Sequence, residues 1–168
     1  MIPIVSIVGR SKAGKTTVME KLIAELKRRG YRVGTVKHHS HGDFDIDLPG
    51  KDSWRHAQAG SDHVVVASPT RLASVRRLSR ELSLDEIAAE FSDVDIILTD
   101  GFKREDKPKV EVSRQAVSTE LLCKPEELIA IVSDQRFVVK VPQFEFEDVA
   151  GLADRIERLY LVKAEIVP

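Results

Sequence analysis

Residues 9–17 read GRSKAGKTT, and Gly9, Gly14, Lys15 and Thr16 fall at the spacing G-x-x-x-x-G-K-[ST]. Glycines at those places let a loop curl until successive backbone N–H groups point at phosphate oxygens. A helix that starts at the lysine adds its positive N-terminal end. The loop would comprise Gly9, Arg10, Ser11, Lys12, Ala13, Gly14, Lys15, Thr16 and Thr17. Lys15 would bridge the β- and γ-phosphates of a nucleoside triphosphate, and the Thr16 hydroxyl would coordinate Mg²⁺. Arg10 and Lys12 add positive charge at the loop.

Mg²⁺ held at a threonine calls for a carboxylate at the end of a buried strand. The stretch VDIILTDGFK offers Asp100, where the apolar run stops and Gly101 lets the chain turn away. Ligands of open α/β sheets bind at this carboxyl edge. Asp95 precedes the run and so falls at the opposite end. Lys15 and Asp100 are therefore the expected catalytic residues, with Thr16 and Asp100 as metal ligands. No glutamine follows Asp100 where it would orient a water. Unassisted hydrolysis should then be slow, on the order of 10⁻⁴ to 10⁻² s⁻¹.

Other residue types in the chain carry chemistry less specifically. His38, His39 and His41, followed by Asp43 and Asp45, suit Zn²⁺ or Ni²⁺. The same cluster also suits a polar mouth beside a phosphate site, with His38 touching ligand. Trp54 reads as packing. Cys123 has neither a nearby histidine nor a CxxC partner, which argues against a nucleophile. A guanine site often uses an Asn–Lys pair and an aspartate that accepts from N1 and N2. Here Ser133 and Asp134 follow a strand without that pair, so Asp134 is either the base acceptor or part of a surface turn.

These residues need a scaffold, and the sequence describes one. The chain has 168 residues with 42% hydrophobic and 32% charged, enough for one domain with a packed core. A net charge of -1 supplies no field toward nucleic acid or an acidic membrane. A single cysteine, no run near the ~20 apolar residues of a membrane span, and no leader-like start point to a soluble cytoplasmic protein.

Branched apolar runs at 2–8, 31–38, 64–68 and 94–100 read as strands, those at 2–8, 64–68 and 94–100 as buried ones. KVEVSR, LIAIVSD and FVVKV read as later strands. Helical spacing marks 15–30, a short helix at 83–91 opening on Ser83, and a closing helix within FEDVAGLADRIERLYLV. Such alternation predicts an α/β fold with a mainly parallel twisted sheet and helices on both faces. One domain spanning 1–168 is expected, with a protruding strand or arm around 68–82. Arg71, Arg76, Arg77 and Arg80 there make either a solvated strand pair or a patch facing phosphate or a partner.

Four segments in order, GRSKAGKTT, TVKHHSHG, DLPGKDSWRHAQAG and TDGFKREDKPKVEVSR, resemble the molybdopterin-guanine dinucleotide biosynthesis protein B (MobB) family. The resemblance covers most of residues 2–114 and is loose from Gln115 onward. It implies a P-loop NTPase fold, GTP binding, weak GTP hydrolysis and a homodimer. It also implies a role assisting a nucleotidyltransferase that joins GMP to molybdopterin.

By the same resemblance, Asp47 to Ser53 would form a wall opposite the phosphate loop. Asp47 and Asp52 would contact Mg²⁺ through water or orient an attacking water, and Lys37, Lys51 and Lys103 would reach phosphate. Where the family commonly has EGFK, this chain has Asp100, one methylene shorter. Two other functions suit the residues: a metal-delivery GTPase using the histidine-rich loop, and a small-molecule kinase on the same fold.

Overall fold

The run of branched residues at the N-terminus forms β1 (Ile4–Val8), buried along its whole length near the middle of a six-stranded sheet. This structure is a computed structural model, and it describes residues 1–39 and 47–161. The other strands of the sheet are β2 (Val33–Lys37), β5 (Ile96–Asp100), β6 (Lys109–Ser113), β7 (Leu128–Ser133) and β8 (Gln143–Phe144). Their spatial order is β2-β5-β1-β6-β7-β8, and every pairing is parallel. Parallel neighbours need crossovers, so all six strands deliver their carboxyl ends to one edge.

Alternation along the strands feeds two cores. Val5, Ile7, Ile96, Leu98, Val110, Val112, Ala130 and Val132 face α1 (Lys15–Arg28) and α4 (Val149–Ile156). Ile4, Val36 and Ile97 form a second cluster with Leu84 of α3 (Leu84–Ala88). The sheet thus carries helices on both faces, as the strand–helix rhythm implies. Helix α1 buries Val18, Met19, Leu22 and Leu26, each contributing roughly 1.5–3 kcal/mol when fully removed from water. Its C-terminal turn is tied to the α4 region by Arg29, which donates to Glu25, Asp154 and Glu157 at 2.6–2.8 Å. Arg28 and Arg29 hold the Glu25 carboxyl down at about 2.

The second face is polar at β6. Glu111 is 2% exposed, and its carboxylate accepts the Leu122 and Cys123 N–H groups at 2.6 and 2.9 Å. Burial pushes its pKa above the ordinary 4.5. Thr99 donates to Ser6 at 3.0 Å beneath the same face. The chain after β6, rather than a helix, supplies Glu111 with its partners.

The chain divides into two compact units, Met1–His38 with Leu84–Pro168 and, second, His39–Ser83. The second unit contains α2 (Asp52–Gln58) and an antiparallel pair, β3 (His63–Ala67) with β4 (Leu72–Arg76). Two expectations are corrected here. VVVAS is not a buried strand: Val65 and Val66 are about half exposed, because among the described residues β3 pairs with β4 alone in a two-stranded sheet. FVVKV is not a strand either. The Gln143 side chain takes both the N–H and the carbonyl of Phe137, Val138 stands in solvent, and the sheet resumes only at β8.

Candidate functional site

The chain leaves β1 at Val8 and enters α1 at Lys15, so the glycine-rich stretch is a strand-to-helix loop. Gly9 has φ 152°, and a Cβ there would lie 2.3 Å from the Val112 carbonyl oxygen of β6. Only glycine lets the loop start that close to its neighbour. Lys12 (φ 64°) and Gly14 (φ 98°) are also left-handed, which turns the loop back over the helix start. Ala13 is 1% exposed within the α1-side core and pins the loop from below.

The N-terminus of α1 begins at Gly14 with no side-chain cap and no acid in its first turn. Its first N–H groups therefore carry their partial positive charge uncompensated by the helix itself. Lys15 Nζ lies 3.0 Å from the Arg10 carbonyl and so arches across the loop. Arg10, Ser11, Lys12, Thr16 and Thr17 are exposed. An exposed loop with a lysine, flanking cations and an uncapped helix start is chemically suited to an anion.

Asp100 ends β5, and its register partner on β1 is Ile7, two residues before Gly9. Its carboxylate stands at the same sheet edge as the loop and is 17% exposed. Across the β2–β5 ladder Lys37 faces Asp100, and Lys37 Nζ lies 2.7 Å from Asp100 Oδ2. Gly101 (φ 104°) turns the chain, and its N–H donates to the Ile7 carbonyl. The next residue, Phe102, is left-handed at φ 56°, and the His38 ring packs 4.8 Å from its ring. The Thr16 hydroxyl and the Asp100 carboxylate are hard oxygen donors of the kind Mg²⁺ takes, so these residues fit that ion.

Lys103 is exposed in the turn that follows. Asp134 stands just after β7 and accepts the Gln115 N–H at 2.7 Å through Oδ1. Asp47, Lys51 and Asp52 belong to the second unit. There Asp47 accepts the Leu48 N–H and the Ser53 hydroxyl. Lys51 precedes α2, and Asp52 in its first turn lies 3.8 Å from Arg55. With Ser53, His56 and residues 64–67 they line an open cleft.

Among the described residues no three His, Cys, Asp or Glu side chains gather as a metal-holding group. His41, Asp43 and Asp45 lie outside the described residues. Cys123 is half-buried, and burial with Glu111 and Glu127 nearby pushes its thiol up to about 11. It is protonated at neutral pH, and a protonated thiol is a poor nucleophile. No described helix is long and apolar enough to cross a membrane.

Three residues beside the loop were not legible as site residues. Glu111 is the β6 partner of Val8, directly before the loop, and Arg10 favours its charged form. Arg114 follows β6, and its guanidinium lies over the Phe146 ring, 4.2 Å from the centroid. The one available signal was position: Arg114 and Phe146 each stand just past a strand, at the ligand edge of the sheet.

Known proteins are similar to this chain over nearly its whole length. The sequence model of the family described as molybdopterin guanine dinucleotide synthesis protein B matches residues 4–134. The molybdopterin-guanine dinucleotide biosynthesis adapter protein of Haemophilus influenzae is 37% identical over 158 residues, covering 93% of this chain and 88% of that protein. Its Escherichia coli namesake is 38% identical over 164 residues, covering 92% and 91%. The crystal structure of a molybdopterin-guanine biosynthesis protein B superposes with a TM-score of 0.71 at 33% identity, covering 94% of this chain and 98% of that one.

Proposed function

The chain belongs to the molybdopterin guanine dinucleotide synthesis protein B family, and from that premise we propose that it is a GTP-binding adapter in molybdopterin-guanine dinucleotide biosynthesis. It assists a nucleotidyltransferase that attaches GMP to molybdopterin, acts as a homodimer, and hydrolyses GTP slowly with Mg²⁺. The observation that carries this reading is the loop from Gly9 to Thr16. Its left-handed glycines, uncapped helix start and arching lysine form an anion receptor at the carboxyl edge of a parallel sheet.

In this reading the loop N–H groups hold the phosphate chain, and Lys15 moves from the Arg10 carbonyl onto the terminal phosphates. Thr16 and Asp100 would hold Mg²⁺, which neutralises charge on the phosphate oxygens when bound. Lys37 exchanges the Asp100 carboxylate for phosphate, keeping one positive charge at that edge. Lys103 adds charge after β5. The adapter role itself rests on the named relatives.

Titrating GTP with Mg²⁺ and with EDTA, into the parent and Asp100→Asn, tests the metal assignment. Metal-free binding should survive in the variant while the gain from Mg²⁺ falls. A merely structural Asp100 gives lower thermal stability with an undiminished Mg²⁺ response, and that outcome would overturn the assignment.

A further inference from the structure

The loop accounts for the phosphate half of a nucleotide. The terminal phosphates and their cation belong on the β5 side, beside Asp100. The nucleoside therefore extends over the strands on the other side of β1, where β6, β7 and β8 end. Side chains from all three ends meet there: Arg114 after β6, Asp134 after β7 and Phe146 two residues beyond β8.

Arg114 Cζ lies over the Phe146 ring, 4.2 Å from the centroid. A Cβ on Gly14 would lie 3.2 Å from Phe146 Cε1 and 3.5 Å from Arg114 Nη2, so the stack stands against the last glycine of the loop. The Phe146–Glu147 turn is itself held, because Lys21 Nζ donates to the Phe146 carbonyl and to Glu147 Oε2. The Arg114 side chain is 42% exposed. Among the described residues its carboxylate neighbour is Asp134, at 3.8 Å and beyond hydrogen-bond reach. Among the described residues the guanidinium sits over the ring and pairs with Asp134 without a hydrogen bond.

A guanidinium fork suits two adjacent acceptors. Guanine offers O6 and N7 on one edge, whereas adenine offers N7 beside the N6 amino donor. Asp134 Oδ1 already accepts the Gln115 N–H at 2.7 Å, so its remaining lone pairs are what it has to offer guanine N1 and N2. We infer that Arg114, backed by Phe146, selects guanine through its O6/N7 edge. The inference rests on the reading of the loop as a nucleotide site. It implies that inosine triphosphate, which keeps O6 and N7 but lacks the N2 amine, is accepted like GTP.

The test is calorimetric titration of the full chain, with Mg²⁺, against GTP, ITP, ATP and inorganic tripolyphosphate. Parent protein, Arg114→Lys and Arg114→Met are compared. The parent should bind GTP and ITP within about threefold of each other, and ATP roughly ten- to hundredfold more weakly. Both variants should lose that gap yet bind tripolyphosphate as the parent does, which also shows that the loop is intact. An unchanged GTP/ATP gap in the variants overturns the inference. So does ITP binding as weakly as ATP. Tripolyphosphate affinity falling in step with GTP would make Arg114 a phosphate ligand instead. A parent that binds neither GTP nor tripolyphosphate removes the phosphate-loop reading itself, and this inference with it.

Discussion

Glu111→Gln is the perturbation whose magnitude follows most directly from the structure. The parent carboxylate satisfies two backbone donors, Leu122 N–H at 2.6 Å and Cys123 N–H at 2.9 Å, in a place only 2% exposed. A glutamine keeps one acceptor oxygen and turns the other position into a donor, so one N–H must face an NH₂ group. A buried donor left without a partner costs about 1–3 kcal/mol, and a hydrogen bond to a charged group contributes about 1.5–3 kcal/mol net.

Relief of the buried charge offsets part of this, since burial holds the Glu111 carboxyl above 4.5. A net loss of about 1.5–3 kcal/mol remains, or a Tm roughly 3–12 °C lower in a chain of this length. The pH dependence has a definite sign. A carboxyl whose folded pKa is raised binds more protons in the native state, so its stabilisation is full at low pH and declines as pH rises through the folded value. A glutamine does not titrate, so the variant's deficit should be larger at pH 5 than at pH 8. Scanning calorimetry of both proteins across that range is the assay. An unchanged Tm, or a deficit that grows with pH, would refute the reasoning.

Gly9→Ala puts a Cβ 2.3 Å from the Val112 carbonyl at φ 152°, so both stability and GTP affinity should fall. Backbone strain alone costs about 1–3 kcal/mol. Gly30→Ala, at φ 93° with nothing within 4 Å, should carry strain without changing GTP affinity, and thermal scans with titrations compare the two. Lys37→Met removes an exposed ion pair of the kind worth about 0.2–1 kcal/mol, which Mg²⁺ has to displace from Asp100. The Mg²⁺-dependent gain in GTP affinity should therefore rise by up to about fivefold, while affinity in EDTA drops for want of a cation. A Mg²⁺ gain that falls instead would make Lys37 a support for Asp100 rather than its competitor.

The elements read correctly were those whose signals are local. IPIVSIV, the 15–30 helix, VDIILTD and LIAIVSD each join an apolar run of the right length to a clear stop, and each became β1, α1, β5 or β7. What failed depended on partners. Three valines in a row predict extended backbone, yet nothing in VVVAS says that among the described residues its strand neighbour is β4 alone. FVVKV has strand composition, but Gln143 occupies the Phe137 hydrogen-bonding groups that a neighbouring strand would need.

KVEVS alternates as though one face were wet. All five residues are buried, because Leu122 and Cys123 cover Glu111 and Glu127 pairs with Lys109. For the candidate site, the loop and Asp100 were legible because each motif is contiguous and sits at a strand end. Arg114 and Phe146 were not: 32 residues apart in sequence by their numbers, they meet only because β6, β7 and β8 lie side by side.

The central claim is that the loop from Gly9 to Thr16 holds the phosphates of a guanine nucleotide. Titration of GTP into the purified chain and into Lys15→Ala tests it most directly. The account predicts saturable binding at one site per chain in the parent and a clear loss of affinity in the variant, whose fold should be intact because among the described residues the Lys15 ammonium bonds to the Arg10 carbonyl of its own loop. Equal affinity in the two proteins, or no GTP binding by the parent, would contradict it.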